Sequence, residues 1–247
     1  MATRFWSVVI DAADPSALAR FWSALTGWPI TYEEPDEVVV EPPSDAADRY
    51  TEPGFPLVFG LVDDVKQGKN KVHLDLNSNS AEHQAALVAR AERAGARRLD
   101  IGQGDVPWTV LADPDGNEFC ILEHRATYAA AGVIAAVVVD VPDPGASAGF
   151  WSAATGWPVL ASDDDSRSLA PPDGAGPRLE LLAVSDPKVA KDRVHIDVAP
   201  YAGDDQAADV ERLRGLGATD ADIGQGVQRW VVLRAPDGHE LCVLTPR

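Results

Sequence analysis

Short stretches of alternating apolar and polar residues recur along this chain, each linked to a stretch whose apolar residues fall at helical spacing. Trp6, Val8 and Ile10 alternate with Ser7, Val9 and Asp11, which predicts a strand over Ser7–Ala12. Asp14 and Pro15 then mark a helix start: the carboxylate can cap, and proline is tolerated where no N–H is needed. Leu18, Phe21, Trp22 and Leu25 continue at helical spacing, and Gly27 supplies a left-handed residue to end the helix. Strands over Trp28–Tyr32, Glu37–Glu41 and Leu57–Val62 complete a βαβββ unit. A second unit follows. Its first strand sets Val72, Leu74 and Leu76 on one face and His73 and Asp75 on the other, and Ala81–Ala94 is a helix closed by Gly95. Arg97–Asp100, Trp108–Leu111 and Asn117–Leu122 are its remaining strands, the last two joined by the tight turn Asp113-Pro114-Asp115-Gly116.

The same order returns from Val133 onward, so the chain holds four modules. His73 recurs as His195 and Cys120 as Cys242, both 122 positions on (195 − 73 and 242 − 120). Ile101-Gly102-Gln103-Gly104 and Trp108 return at that offset as Ile223-Gly224-Gln225-Gly226 and Trp230. Upstream, Phe21-Trp22 and Thr26-Gly27-Trp28-Pro29 return as Phe150-Trp151 and Thr155-Gly156-Trp157-Pro158, at an offset of 129 (150 − 21). The first copy therefore carries seven extra residues (129 − 122), assigned to the Pro- and acid-rich loop Glu33–Pro56. Such agreement marks two copies of one folded unit. They run over residues 1–125 and 132–247, joined by the short connection Ala126–Ala131.

Composition narrows the class without choosing a function. At 247 residues, 45% hydrophobic and 24% charged, the chain suits two globular domains, each with its own core. It shows no apolar run of membrane-spanning length and no basic-plus-apolar leader, so a cytoplasmic protein is expected, with no membrane partner. A net charge of −18 repels polyphosphate, which argues against nucleic acid as a partner. The two cysteines hold equivalent positions in two repeats and are expected to be free thiols in a reducing compartment.

Paired βαβββ modules, the Phe-Trp helix ending in Thr-Gly-Trp-Pro, the strand His73-Leu74-Asp75-Leu76 and the hairpin from Asp113 to Cys120 resemble the vicinal oxygen chelate superfamily. More narrowly they look like its glyoxalase-like, bleomycin-resistance-related branch. The resemblance spans nearly the whole chain, once per half. It implies an α+β fold of two tandem glyoxalase-like domains, each of two βαβββ modules forming a curved sheet around a cavity. Activity stays open, because the superfamily includes metal-dependent isomerases, lyases, ring-cleaving dioxygenases and metal-free drug-sequestering proteins. In metal-using members the ligands come from the first and last strands of each module. Resemblance places those positions at Ser7, Gly60, His73 and Cys120 in the first half, and at Ala136, Leu182, His195 and Cys242 in the second. A catalytic metal needs about three protein ligands. Glycine, alanine and leucine side chains offer none and serine is a poor one, so neither metal nor other cofactor is expected. Glu118 and Glu240, two residues before the cysteines, would supply a third ligand only if the strand shifted.

His73 beside Asp75, repeated as His195 beside Asp197, suits a hydrogen-bonded or acid–base site. Cys120 and Cys242 would be nucleophiles only with lowered pKa values, and small buried thiols are the simpler reading. Trp22 and Trp151 fit core packing, Trp28 and Trp157 cover a sheet edge, and Trp108 and Trp230 are placed to stack on a planar ligand. The expected ligand-binding set is therefore His73, Asp75, Trp108, Glu118 and Cys120, with His195, Asp197, Trp230, Glu240 and Cys242. No catalytic residue is assigned. The expected function is binding of a small, partly aromatic molecule, as in resistance by sequestration. The alternative is a lyase, isomerase or dioxygenase-like enzyme for a small oxygenated substrate, metal-assisted or using His73 and His195 as general bases. A third arrangement has one half active and the second, with fewer polar cavity residues, as its scaffold. A monomer or homodimer is expected, since the usual partner of such a module set is already in the chain.

Overall fold

The computed structural model describes residues 2–43 and 54–247; residues 44–53 of the loop expected at Glu33–Pro56 lie outside them. Four βαβββ modules follow one another. The first comprises β1 (Thr3–Ala12), α1 (Pro15–Thr26), β2 (Ile30–Glu33), β3 (Glu37–Val40) and β4 (Leu57–Leu61). The second comprises β5 (Val72–Leu76), α2 (Ala81–Ala94), β6 (Arg97–Arg98), β7 (Thr109–Ala112) and β8 (Glu118–Ile121). After a single 3-10 turn at Ala126–Tyr128, the third has β9 (Ile134–Val141), α3 (Pro144–Thr155), β10 (Val159–Ser162), β11 (Ser166–Leu169) and β12 (Arg178–Ala183). The fourth has β13 (Val194–Pro200), α4 (Gln206–Gly215), β14 (Thr219–Asp220), β15 (Val231–Arg234) and β16 (Glu240–Val243). The capping read from sequence holds in both copies. Asp14 and Asp143 accept from the backbone N–H of Ala17 and Ala146, and Gly27 and Gly156 close the helices at φ 78° and 75°.

The modules pair in an order that the repeat does not show. One eight-stranded sheet runs β14-β15-β16-β13-β1-β4-β3-β2, the other β10-β11-β12-β9-β5-β8-β7-β6. Each sheet has two βαβββ modules, but one comes from each half: the first pairs with the fourth and the second with the third. The seams are antiparallel. β1 meets β13 with Val9 opposite His195 and Ser7 opposite Asp197; β5 meets β9 with His73 opposite Val138 and Asp75 opposite Ala136. The other edge of each first strand is taken by the parallel fourth strand of its own module. The halves are thus each other's partners.

Within a half, the link is made by helices rather than strands. Trp22 Nε1 donates to Asp113 Oδ2 at 3.3 Å, and its repeat Trp151 donates to Asp237 Oδ2 at 2.8 Å. Leu18, Trp22, Leu87, Val137, Trp151 and Ile196 belong to one continuous core that draws on all four modules. That core takes the helix-covered face of both sheets and leaves the opposite faces for the hollows.

One polar junction between modules carries a titratable group. His239 stands where the first repeat has Asn117, and it is 1% exposed. Its Nδ1 lies 2.9 Å from Asp192 Oδ2 and its Nε2 lies 2.9 Å from the Asp140 carbonyl oxygen. Both neighbours are acceptors, so the doubly protonated imidazolium satisfies both. Burial pushes its pKa down, but the hydrogen bond and charge of Asp192, with Asp237 and the Asp140 carbonyl, hold it above the ordinary value. A raised folded-state pKa contributes stability in full below the unfolded value of about 6.5, and that stability is lost as pH rises through the folded value. Thermal melts from about pH 6 to about 8.5 should therefore show a falling Tm. His239→Asn should flatten that slope while costing about 1.5–3 kcal/mol at the acidic end. Because Asp197, raised to about 7, adds a falling contribution of its own, only a slope left unchanged by the substitution would rule out His239 as a source.

Candidate functional site

On the face away from the helices, strand register lays two rows of side chains across the first sheet. One row is Val39, Val58, Val9 and His195; the other is Ser7, Asp197, Cys242 and Val232. Above this floor lies a cavity of about 900 Å³, the size of a small-organic-molecule site. Trp230 borders it from the fourth module, its Nε1 donating to Gln225 Oε1 at 2.9 Å. Tyr32, Glu37 and Glu41 border it from the first module. The grouping of the strand-end positions by half is corrected here. Ser7 and Gly60 share this cavity with His195 and Cys242, not with His73 and Cys120. The cause is the β1–β13 seam.

The centre of the floor is a compact triad. His195 Nε2 stands 3.5 Å from Cys242 Sγ and 3.6 Å from Asp197 Oδ1. Ser7 Oγ donates to Asp197 Oδ2 at 3.0 Å, whereas Asp197 Oδ1 is buried and makes no hydrogen bond. Burial pushes the His195 imidazole down to about 4, helped by the Lys191 charge. Burial pushes Asp197 up to about 7 against the hydrogen bond of Ser7, and burial with the Asp197 charge pushes the Cys242 thiol up. At neutral pH the imidazole and thiol are therefore uncharged, and the thiol is no ready nucleophile.

The strand-end positions gave this floor an imidazole and a thiol, and the β13–β16 register adds a carboxylate to them. The three ligand atoms lie within 4.8 Å of one another. Tetrahedral zinc, with bonds of about 2.0 Å to nitrogen and 2.3 Å to sulfur, separates two such ligands by about 3.5 Å. The donor set, and the orphaned Asp197 Oδ1, thus fit a divalent cation.

The second sheet repeats the floor, and Tyr128 covers part of it. Its rows are Ser168, Glu180, Val138 and His73, then Ala136, Asp75, Cys120 and Val110. His73 Nε2 lies 3.4 Å from Asp75 Oδ1, and burial with Asp75 pushes the Cys120 thiol up. Tyr128, from the connection between the halves, is buried in one apolar cluster with Val110, Cys120, Ala136 and Val138. Trp108 packs against that cluster with the Arg125 guanidinium 5.5 Å from its ring centroid, so it serves packing where Trp230 borders a cavity. The cavity lies over second-half residues, which runs against the third arrangement, with the second half as scaffold. The second-half triad floors the cavity, and in the first half Tyr128 packs beside Cys120 while His73 and Asp75 keep 13% and 12% of their side chains exposed.

Glu118 and Glu240 point elsewhere than expected. Glu118 pairs with Lys66 Nζ at 2.8 Å and accepts from the Asn70 backbone. Glu240 pairs with Lys188 Nζ at 2.7 Å and accepts from the Asp192 backbone. Burial opposes its ionisation, but Lys188 and that backbone bond hold it down to about 2. Both carboxylates anchor the loops that enter β5 and β13. They share a strand face with the cysteines, yet their longer side chains reach back to lysines that no periodicity could place.

A sequence profile of the glyoxalase-like domain matches residues 7–122 and again residues 136–244. The chain belongs to the glyoxalase-like domain family. Solved structures similar to this glyoxalase-like protein include glyoxalase I from Zea mays, with TM-score 0.68 and 15% identity over 99% of this chain and 92% of that one. A protein of Bacillus subtilis subsp. subtilis str. 168 gives 0.62 and 12% over 99% of this chain and 85% of that one. At such identities the likeness is one of fold. No curated protein sequence matches the chain. Because both thiols of this glyoxalase-like protein are buried, a disulfide reagent such as DTNB should modify the native protein at least ~100-fold more slowly than the unfolded chain. Fast reaction of either cysteine would show that its floor opens in solution.

Proposed function

We propose that this glyoxalase-like protein binds a small neutral or cationic molecule with a planar aromatic part, holding it in the first sheet's cavity as in resistance by sequestration. The observation that carries this reading is a cavity of about 900 Å³ whose floor joins an apolar wall to an uncharged His195–Cys242 pair, with Trp230 alongside. Apolar and aromatic walls with few convergent polar groups are the common make-up of small-molecule sites. The rim carries Asp36, Glu37, Glu41, Asp63 and Asp64 against Lys191 and Arg247, and Lys191 is tied to Asp11. Anionic ligands are disfavoured by that balance. One chain supplies both walls, so a monomer suffices. Isothermal titration against planar aromatic amines and aromatic natural products should find one ligand per chain. Trp230→Ala should weaken it about tenfold and Trp108→Ala should leave it unchanged. Failure of every member of a broad panel to bind would sink the proposal.

The orphaned Asp197 oxygen favours one second reading, an enzyme acting on an oxygenated substrate. A divalent cation, when bound, would be held by His195, Asp197 and Cys242 and would supply Lewis acidity. Ser7 would then fix the rotamer of Asp197 through its hydrogen bond. Protein purified without chelators and assayed for metals decides between the two: a stoichiometric divalent metal that is lost in Cys242→Ser puts the enzyme first.

A further inference from the structure

The two floors are an internal comparison, because one is covered by a side chain of the same molecule. His195, Asp197, Cys242, Val9 and Val232 on the first floor correspond to His73, Asp75, Cys120, Val138 and Val110 on the second. The differences are Ser7 for Ala136, and Val58 and Val39 for Glu180 and Ser168. At the wall end of each floor exposure follows occupancy, while His73, Asp75 and Cys120 are no more buried than their counterparts. Val138 and Ser168 are 2% and 6% exposed, whereas Val9, Val39 and Val58 are half-buried and face the cavity.

Tyr128 explains the two changed wall positions. Its hydroxyl donates to Glu180 Oε1 at 3.0 Å, and the Ser168 hydroxyl donates to the same oxygen at 2.9 Å. The Arg178 guanidinium sits 5.4 Å from its ring centroid. Glu180 and Ser168 therefore form a receptor for a phenolic hydroxyl, and Val58 and Val39 stand at the equivalent places beside the cavity. Burial, then the Glu180 charge, pushes the phenol pKa up, which keeps the hydroxyl a donor.

We propose that Tyr128 is an internal ligand of the second hollow, a phenol bound in cis, and that removing it uncovers a second binding site that accepts free phenols. The first floor, with the same ring-facing residues but an apolar wall, then takes an aromatic ring whose substituent at that end is apolar. This last step rests on the binding function proposed above.

The test uses the full chain with p-cresol, which has the shape of the tyrosine side chain, and p-xylene, which lacks the hydroxyl. Tyr128→Ala should lower Tm by roughly 6–12 °C, and millimolar p-cresol should restore at least half of that loss while leaving wild-type Tm nearly unchanged. p-Xylene should not rescue the variant, and Tyr128→Phe, which keeps the ring, should take up no p-cresol. A folded Tyr128→Ala protein that gains no more from p-cresol than wild type overturns the proposal. If that variant does not fold alone, folding on addition of p-cresol supports it. Tyr128→Leu then carries the negative arm: folded protein without saturation transfer to p-cresol overturns it. Saturation transfer to p-xylene in wild type, lost in Val58→Trp, reports the first cavity separately. Its absence alongside p-cresol rescue would overturn the aromatic reading of that cavity and leave the role of Tyr128 standing.

Discussion

The antiparallel seams between first strands, β1 with β13 and β5 with β9, are the constraint from which the rest of the molecule follows. A first strand sits in the middle of its sheet, so one edge must be met by its own module and the other by a strand from elsewhere. In this chain the other strand always comes from the opposite half. β1 is ten residues long, and without β13 it would present that length of unpaired N–H and C=O groups. Neither repeat can therefore form a closed sheet with its own residues in this arrangement. Each cavity floor is also a joint product: Ser7 from the first module holds the carboxylate of Asp197 from the fourth. The helix-to-turn bonds of Trp22 and Trp151 run within the halves, while the seams run between them. The two sets cross-link the molecule in complementary directions.

Much of this was legible in the sequence. Alternation placed Val72, Leu74 and Leu76 on the core face and His73 and Asp75 on the other, and the structure agrees. Capping aspartates and closing glycines fixed both ends of α1 and α3. Which module pairs with which was not legible, for a physical reason. All four first strands carry the same apolar-in pattern, so any pair of them would bury the same kind of face. The choice is made by three-dimensional geometry, and it decided which residues share a cavity with His195. The all-apolar burial of β13 illustrates the same limit. His195 and Asp197 are as buried as Ile196, so parity assigns their face but not their accessibility. Tyr128 carried one weak signal, a single aromatic residue in an otherwise alanine-rich connection.

The two hollows show how little sequence change separates a filled floor from a cavity. Replacing Val58 and Val39 by a carboxylate and a hydroxyl supplies the acceptor that a buried phenol needs. Without such an acceptor, burying the hydroxyl of Tyr128 would cost about 1–3 kcal/mol. With it, the ring adds its apolar area to the cluster around Cys120 and Val138. The first floor lacks that acceptor, so its wall favours a ring without a donor there. The polarity of each wall is thus set by two positions on two neighbouring strands, β3 with β4 and β11 with β12, and Tyr128 fills part of the second hollow.

The carboxylates beside the histidines argue that these floors are more than packing. Asp75 Oδ1 and Asp197 Oδ1 are both buried without a hydrogen bond. A buried polar atom left unpaired costs about 1–3 kcal/mol, and a charged one more. An apolar residue at either place would remove that penalty, and the flanking strand positions, Leu74, Leu76, Ile196 and Val198, show that such residues fit these strands. The same unfavourable choice made twice, 122 positions apart, is hard to attribute to the core, which lies on the other face. It is accounted for if the oxygen is satisfied by something that enters the hollow: a donor group of a ligand, or a cation shared with the imidazole and thiol. In the covered hollow, Tyr128 brings its own hydroxyl to Glu180 rather than to Asp75, so the carboxylate keeps its open valence even there. The aspartate thus belongs to the shared design of the floor, and the residues above it decide what that design holds.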